Sequence, residues 1–264
     1  MVEKNDDDQF PLKVIKKEAL NHDTYILELA FPNPEWISGL WPGGHFILHS
    51  EIDGKLVSKK YTPISPVNEK GKATFAIKVY RKCDEFPNGG LWTQYFEQNI
   101  KVGDTIMCEG PIGKIKYFGH GKMQLMKKEL KPKTKIGLIA GGSGITPMYA
   151  IALASSLAKD GVEITFLFSN KTKDDILCKD LLDELVKINP EKFKLFHTLT
   201  RHDETKHGAW DGLTGRVSHD MLKQCGFPEP ADDVFIATCG PSAFSTHIKT
   251  FLLEAGYVEK EMIA

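Results

Sequence analysis

Long apolar runs are missing from this chain: no stretch approaches the ~18 residues a helix needs to cross a bilayer. The opening residues, MVEKNDDDQF, hold neither a signal-peptide core nor a glycine after Met1 for myristoylation, so a soluble cytoplasmic protein is expected, held at a membrane only through residues or partners outside this chain. An excess of one charge is also missing. With 34 Lys and Arg against 35 Asp and Glu the net charge is -1, too small a field to gather nucleic acid or an anionic surface, and a charged partner must be met by a local patch. Cysteine is scarce and scattered, at Cys83, Cys108, Cys178, Cys225 and Cys239, an odd number with no C-x-x-C pair. That excludes a disulfide framework, a zinc ribbon and a bound iron–sulfur cluster, and predicts reduced thiols. His197, His202 and His207 stand five apart and cannot share a helix face, so no metal site is expected. Internal repeats and low-complexity tracts are absent as well.

What remains is an ordinary globular mixture, 41% hydrophobic and 26% charged over 264 residues, enough for one large domain or two modest ones. Two rhythms favour two. From about Pro11 to Gly119, short alternating runs such as TYILELAF, HFILHSEI and ATFAIKVY are broken by PNP, PGG and NEKGK, which predicts a small antiparallel barrel or sandwich. One helix interrupts it, LWTQYFEQNI (Leu91 to Ile100), entered through Gly89 and Gly90. Beyond the lysine-rich MKKELKPKTK the chain alternates continuous apolar strands (KIGLIA, EITFLFSN, FKLFHTLT, VFIATCG) with helical stretches (MYAIALASSLAKD, DDILCKDLLDELVKI, AFSTHIKTFLLEAG). Strands apolar on both faces and joined by crossover helices predict a parallel sheet covered on both sides. The boundary is placed between residues 132 and 133.

Four segments carry chemistry. GLIAGGSGITPM (Gly137 to Met148) puts glycines between a buried strand and a helix, with Thr146 as the expected N-cap and Pro147 as an early helical residue; a phosphate could reach the bare backbone and the helix N-terminus there. The spacing is neither G-x-G-x-x-G nor a Walker loop, and alone it is as readily structural as ligand-binding. TCGPSAF (Thr238 to Phe244) is a second glycine turn after a strand, able to converge with the first at the carboxyl edge of the sheet; a lone Cys239 is otherwise simply a small buried hydrophobe. KKYTPIS (Lys59 to Ser65) supplies a cation and a ring, and FPNGGLWTQ (Phe86 to Gln94) a second glycine-led helix start, each matched by a plain alternative, an exposed strand or a capped helix.

In this order the four segments resemble the ferredoxin reductase superfamily, and most closely its cytochrome b5 reductase group. KKYTPIS is similar to that family's R-x-Y-T-P-[IL]-S, PNGGLWTQYFEQNIKVGDTIMCEGPIGKIKY to its G-G-x-x-[ST] segment with the following G-D and G-P-x-G, GLIAGGSGITPM to its G-x-I-A-G-G-[ST]-G-I-T-P-M, and Cys239-Gly240-Pro241 to its late nicotinamide motif. The resemblance implies an N-terminal antiparallel β-barrel that binds FAD (1–132) and a C-terminal α/β domain that binds NADH (133–264), with hydride passing between the two cofactors. It implies FAD contacts from Lys59, Tyr61, Thr62, Pro63, Ile77, Val79 and Tyr80, with Thr62 beside the reacting ring. Pyrophosphate contacts fall to Gly89, Gly90, Leu91, Trp92 and Thr93, the last through its hydroxyl. Thr146 and Pro147 follow the glycine turn, Thr146 reaching the flavin. The pyridine nucleotide falls to Gly141, Gly142, Ser143, Gly144, Cys239, Gly240 and Pro241, with Cys239 positioning the nicotinamide.

Three departures sharpen these expectations. Lys59 stands where the family has arginine and loses its planar fork. In HTLTRHD, Thr200 replaces the acid that accepts from the adenine ribose and repels a 2′-phosphate, and Arg201 adds a cation, so NADPH is expected to be accepted alongside NADH. The C-terminal EKEMIA lacks the terminal aromatic of plastid-type ferredoxin reductases. The expected partner is a haem protein such as cytochrome b5, met by Lys59, Lys60, Lys114, Lys116 and Lys122, and the chain is expected to be a monomer. Alternatives are the reductase module of a larger protein of the nitrate reductase type, a quinone or ferric reductase, and a flavin- or nucleotide-binding regulator without turnover.

Overall fold

The structure, a computed structural model, describes residues 9–84 and 86–264. It divides into two compact units, one ending at Gly113 and the other spanning Lys114–Ala264.

The first unit holds strands β1 (Gln9–Ala19), β2 (Thr24–Ala30), β3 (His45–Ile52), β4 (Lys55–Tyr61) and β5 (Lys72–Lys78), helix α1 (Leu91–Asn99) and strand β6 (Thr105–Ile112). They form one sheet in the order β4-β3-β6-β1-β2-β5, antiparallel at every pairing. In β1, Phe10, Leu12 and Val14 turn inward while Pro11, Lys13 and Ile15 face out, the period of two that a half-buried strand requires. The sheet rolls on itself: beyond β4 the amide of Ile64 donates to Thr74 of β5 at 2.8 Å, joining the two edge strands. The expected barrel is therefore present, filled by Leu12, Leu29, Phe46, Phe75, Trp92 and Phe96.

Helix α1 packs into that core through Trp92 and Phe96, whose rings stack 5.6 Å apart. Its carboxyl end meets the ammonium of Lys17, which donates to the carbonyls of Phe96 (2.7 Å), Glu97 (2.8 Å) and Ile100 (2.7 Å). Those oxygens have no intrahelical partner, so a strand lysine supplies what the helix lacks and balances the negative end of its dipole.

The second unit opens with a small antiparallel sheet, β7 (Ile115–Tyr117), β8 (Met123–Leu125) and β9 (Lys128–Glu129). It continues through β10 (Lys135–Gly141), α2 (Ile145–Ala158), β11 (Glu163–Asn170), α3 (Lys179–Ile188), β12 (Phe193–Leu199), α4 (Glu204–His207), β13 (Leu213–Thr214), α5 (His219–Gln224), β14 (Val234–Cys239) and α6 (Ser242–Glu254). The main sheet runs β13-β12-β11-β10-β14 with all pairs parallel. Every residue from Ile136 to Gly141 and from Ile164 to Asn170 is buried, so both faces are covered.

The two compact units part at Gly113, ahead of the boundary expected at 132/133, and β7 to β9 are tied to the α/β unit: Tyr117 donates its hydroxyl to Asp160, the amide of His120 reaches the same carboxylate at 3.0 Å, and the amide of Lys133 donates to the Gly121 carbonyl at 2.9 Å. Two expectations about helix starts are corrected. The helix expected from Asp174 begins only at Lys179. Thr172 and Asp175 close a capping box on a short 3-10 turn, and Cys178, at φ +56°, breaks the chain before α3. Thr146 is not an N-cap, since a 3-10 turn over Gly142–Gly144 runs straight into α2 and makes Gly144 the cap. Pro147 still falls in the first turn, where its missing amide costs nothing.

Candidate functional site

In the first unit, α1 begins at a glycine pair because the chain has no room for side chains there. A Cβ on Gly89, which holds φ +63°, would lie 2.7 Å from the Tyr80 carbonyl, and one on Gly90 would lie 2.5 Å from the Thr93 hydroxyl. The amide of Gly90 donates to Tyr80 at 2.7 Å and that of Gly89 to Phe86 at 2.8 Å, so both glycine amides are spent on the loop. Thr93, buried, donates its hydroxyl to the Gly90 carbonyl at 3.0 Å and accepts from the Tyr80 amide at 3.2 Å. Its hydroxyl therefore organises the loop from which the first amides of α1 project. The amides of Leu91, Trp92 and Thr93 are the first-turn donors that α1 leaves without intrahelical acceptors, and Gly90 offers no side-chain cap. An anion would be bound there.

Other residues named from the sequence gather at the same place. The Tyr61 ring sits 5.1 Å from that of Trp92, and burial pushes the Tyr61 phenol far above its usual range, so it is a neutral hydroxyl. Trp92 is fully buried and its Nε1 has no partner. Thr62 and Pro63 are buried directly after Tyr61, while Lys59 and Lys60 are exposed on β4. Ile77 and Val79 do not join them by side chain: both belong to the barrel core, and only their backbone could meet a ligand. An uncapped helix start beside a tyrosine wall fits a flavin dinucleotide.

In the second unit the two glycine turns converge. A Cβ on Gly144 would run into the carbonyl of Cys239 and lie 2.6 Å from the Gly240 amide; one on Gly240 would come 3.3 Å from the Cα of Gly141. The turn after β10 and the turn after β14 thus pack backbone to backbone, with Phe244 against Gly141 and Gly240. Gly142 is the exception: at φ +52°, a Cβ placed on it would have nothing within 4 Å, so this stretch of backbone is open to a ligand. Pro241 stands at the N-cap of α6 with no side-chain cap. Burial raises the Cys239 thiol above its ordinary value, which leaves it protonated at neutral pH.

Thr200 follows β12, exposed, and binds back to β11: its amide donates to the Asn170 carbonyl at 2.9 Å and its hydroxyl to the same oxygen at 3.2 Å. Arg201 likewise donates its amide to Lys171 at 2.9 Å. The pairing brings forward two residues that motif reading missed, Lys171 beside Arg201 and Asn170 beneath Thr200. A polar pair closing an otherwise apolar strand, the Asn-Lys of EITFLFSNK, was the available signal. Next to them, His197 and His202 pack around Trp210 at 6.5 and 6.3 Å, and burial lowers the His197 pKa to about 4.

Comparison with known proteins agrees with this division. The oxidoreductase FAD-binding domain matches residues 11–117 and the oxidoreductase NAD-binding domain residues 138–250. NADH-cytochrome b5 reductase 3 of Rattus norvegicus is 38% identical over 247 residues, covering 90% of this chain and 79% of that protein. The NADH nitrate reductase of Volvox carteri is 37% identical over 256 residues, 96% of this chain but only 29% of that much longer protein. The solved cytochrome b5 reductase domain of Ulva prolifera nitrate reductase superposes with a TM-score of 0.90 at 26% identity, over 100% of both chains. Among the described residues no helix is long and apolar enough to cross a membrane. With two thirds and more of its curated b5 reductase relatives matched at this identity, the chain belongs to the NADH-cytochrome b5 reductase family of FAD- and NAD-binding oxidoreductases.

Proposed function

We propose that this chain takes reducing equivalents from NADH or NADPH through FAD and delivers them one at a time to a separate haem protein of the cytochrome b5 kind, as a cytoplasmic monomer. The observation that carries the reading is the Gly144–Cys239 packing, which leaves Gly142 as open backbone at the start of α2. Bound FAD would supply the conversion between two-electron and one-electron chemistry. The chain's own task is placement. The amides of Leu91, Trp92 and Thr93 hold the pyrophosphate, Lys59 adds charge, and Tyr61, Thr62 and Pro63 wall the ring system, with the Tyr80 and Ile77 to Val79 backbone alongside. Gly141, Gly142, Ser143 and Gly144 carry the pyridine dinucleotide, and Cys239, Gly240 and Pro241 orient its nicotinamide. Neither Cys239 nor Thr62 transfers a proton in this scheme; Cys239 positions, and the neighbouring apolar packing keeps water away.

Thr200 and Arg201 support acceptance of NADPH, since no carboxylate stands at that point to repel a 2′-phosphate. A second reading has its own support: the similarity to nitrate reductase of Volvox carteri and to the Ulva prolifera domain extends over nearly all of this chain, so a reductase module serving an acceptor on a larger polypeptide is the alternative. One experiment addresses both. Purified protein should be yellow, and anaerobic stopped-flow with NADH and then NADPH should bleach the flavin within seconds, after which cytochrome b5, nitrate reductase haem domain, quinone and ferric chelate are offered in turn. Colour without bleaching would make the chain a flavin-binding regulator, and turnover only with the small acceptors would remove the haem protein.

A further inference from the structure

A cleft of about 280 Å³ opens in the second unit, and neither Gly141 to Gly144 nor Cys239 to Pro241 lines it. Three pieces of chain build it. The turn between β8 and β9 contributes Met126, one face of α6 contributes Thr246 and Lys249, and the segment past α6 contributes Lys260 and Ile263. Backbone bonds hold these walls without any ligand: the amide of Met126 donates to the Lys114 carbonyl at 2.7 Å, the amide of Ala264 donates to Ile236 at 3.0 Å, and the Ala264 carbonyl accepts from Thr238 at 2.9 Å. A concave site whose walls are fixed in this way is preformed, as ligand sites mostly are.

Its lining has two halves. Leu125, Met126, Ile263 and Ala264 are apolar. Met126 is 58% exposed and holds φ +51°, a turn conformation that glycine or asparagine would take at lower cost. Opposed to this side, Lys114, Lys249 and Lys260 bring three ammonium groups against one side-chain carboxylate, that of Glu259. Lys249 hydrogen-bonds to Glu259 and, with Lys260, holds its carboxyl below the usual range, so that acid is ionised and already engaged. Neither Lys114 nor Lys260 has an ion-pair partner among the described residues. Two cations are left over, and a carboxylate at Ala264 would still leave one.

A ligand must answer both halves. Inorganic phosphate would meet the ammonium groups and gain nothing from the apolar side, while a neutral hydrocarbon would do the reverse. The volume is about twice that of a cavity that holds benzene, so a two-ring body fits, and the Met126 thioether favours an aromatic one. We propose that this cleft is a binding site for a small aromatic carboxylate, with its rings against Met126 and Ile263 and its anionic head among the lysines. It is separate from the dinucleotide site proposed above and does not depend on it.

The probe is 2-naphthoate, titrated into FAD-loaded protein carrying methyl-labelled methionine, with and without saturating NAD+. The Met126 methyl resonance, identified by its loss in Met126→Leu, should shift and saturate with a Kd of roughly 0.1 mM, in line with a ligand of this size. The shift should be the same in both titrations. 2-Naphthol, which keeps the rings and lacks the charge, should bind about tenfold more weakly, and added salt should weaken the carboxylate alone. Lys260→Glu should weaken 2-naphthoate about fivefold or more and leave flavin reduction by NADH unchanged. Thr246→Trp should fill the cleft and abolish the shift; should it fail to fold, Lys260→Glu, at an exposed position, carries the test. A Met126 resonance that stays in place up to the solubility limit of the probe would overturn the proposal. So would equal binding of 2-naphthol, or a shift that NAD+ abolishes, which would put the probe in the nucleotide site instead.

Discussion

The carbonyl of Cys239 occupies the space that a Cβ on Gly144 would need. Gly144 has φ -66° and ψ -4°, a conformation open to any residue, so glycine is required there by contact alone. Gly142 is the opposite case, at φ +52° with nothing within 4 Å. Gly144→Ala must push the end of β14 away from the α2 turn and should destabilise by about 2 to 3 kcal/mol, as overpacking against backbone does. Gly142→Ala meets only the left-handed penalty, about 1 kcal/mol. Urea unfolding of the two variants checks the order, and equal losses would mean that the two turns can part freely.

Lys17 places a second prediction at the far end of α1 from its candidate anion site. Its three bonds to the helix carboxyl end are made from a partly buried position, where desolvation lowers its pKa while Glu97 and Asp104 oppose the shift. Lys17→Met keeps the stem and loses all three, leaving carbonyls unmet, and should cost about 2 to 3 kcal/mol. It should also speed FAD release, since the helix that presents the amides of Leu91, Trp92 and Thr93 loses its anchor. Lys17→Arg should recover most of both. FAD dissociation followed by fluorescence makes the check, and an unchanged rate would confine Lys17 to stability.

Much of this fold was legible in the sequence, because period-two alternation and unbroken apolar strands are read from a few neighbouring residues at a time. HFILHSEI and EITFLFSN correspond residue for residue to β3 and β11. What was not legible rests on distant contacts. Nothing near MKKELKPKTK announces that Tyr117 bonds to Asp160, and nothing in LWTQ reveals that the Thr93 hydroxyl is already engaged by Gly90 and Tyr80. Ile77 and Val79 were named from a motif that places the backbone, while their side chains obey the barrel core.

Thr200→Asp tests nucleotide choice. A carboxylate at the exposed end of β12 would accept from a ribose 2′-OH and repel a 2′-phosphate. The ratio of kcat/KM for NADPH to that for NADH should fall by about tenfold or more, equivalent to about 1.4 kcal/mol of discrimination. A wild-type enzyme already strongly selective for NADH would show that Thr200 and Arg201 do not relax the choice.

His197 gives a pH dependence with a definite sign. Both of its nitrogens lack hydrogen bonds, and burial, helped by the nearby Lys179 and opposed by Asp183, brings its pKa down to about 4 from 6.5. Below about pH 6.5 the unfolded chain gains a proton that the folded chain refuses, so the folded state loses ground as pH falls, by up to about 1.4 kcal/mol per unit, and the loss levels off near pH 4. Above pH 6.5 this residue contributes no slope. His197→Leu should flatten the pH profile of the urea midpoint within that window, and an unchanged slope would assign the acid sensitivity to other groups.

Cys239 offers the last test, because its two roles separate by chemistry. Its carbonyl fixes the turn against Gly144, and its thiol, raised in pKa by burial, is protonated at neutral pH and a poor nucleophile. Cys239→Ser leaves the backbone contact intact and exchanges a weakly polar group for a hydroxyl that prefers a hydrogen-bond partner. The rate of flavin reduction by NADH in stopped-flow should drop, by roughly tenfold for a group that positions without reacting, while FAD content is kept and turnover stays readily measurable. Alkylation of the wild-type thiol by iodoacetamide should be slow for the same reason. Complete loss of reduction with FAD retained would instead make the sulfur a participant in the reaction.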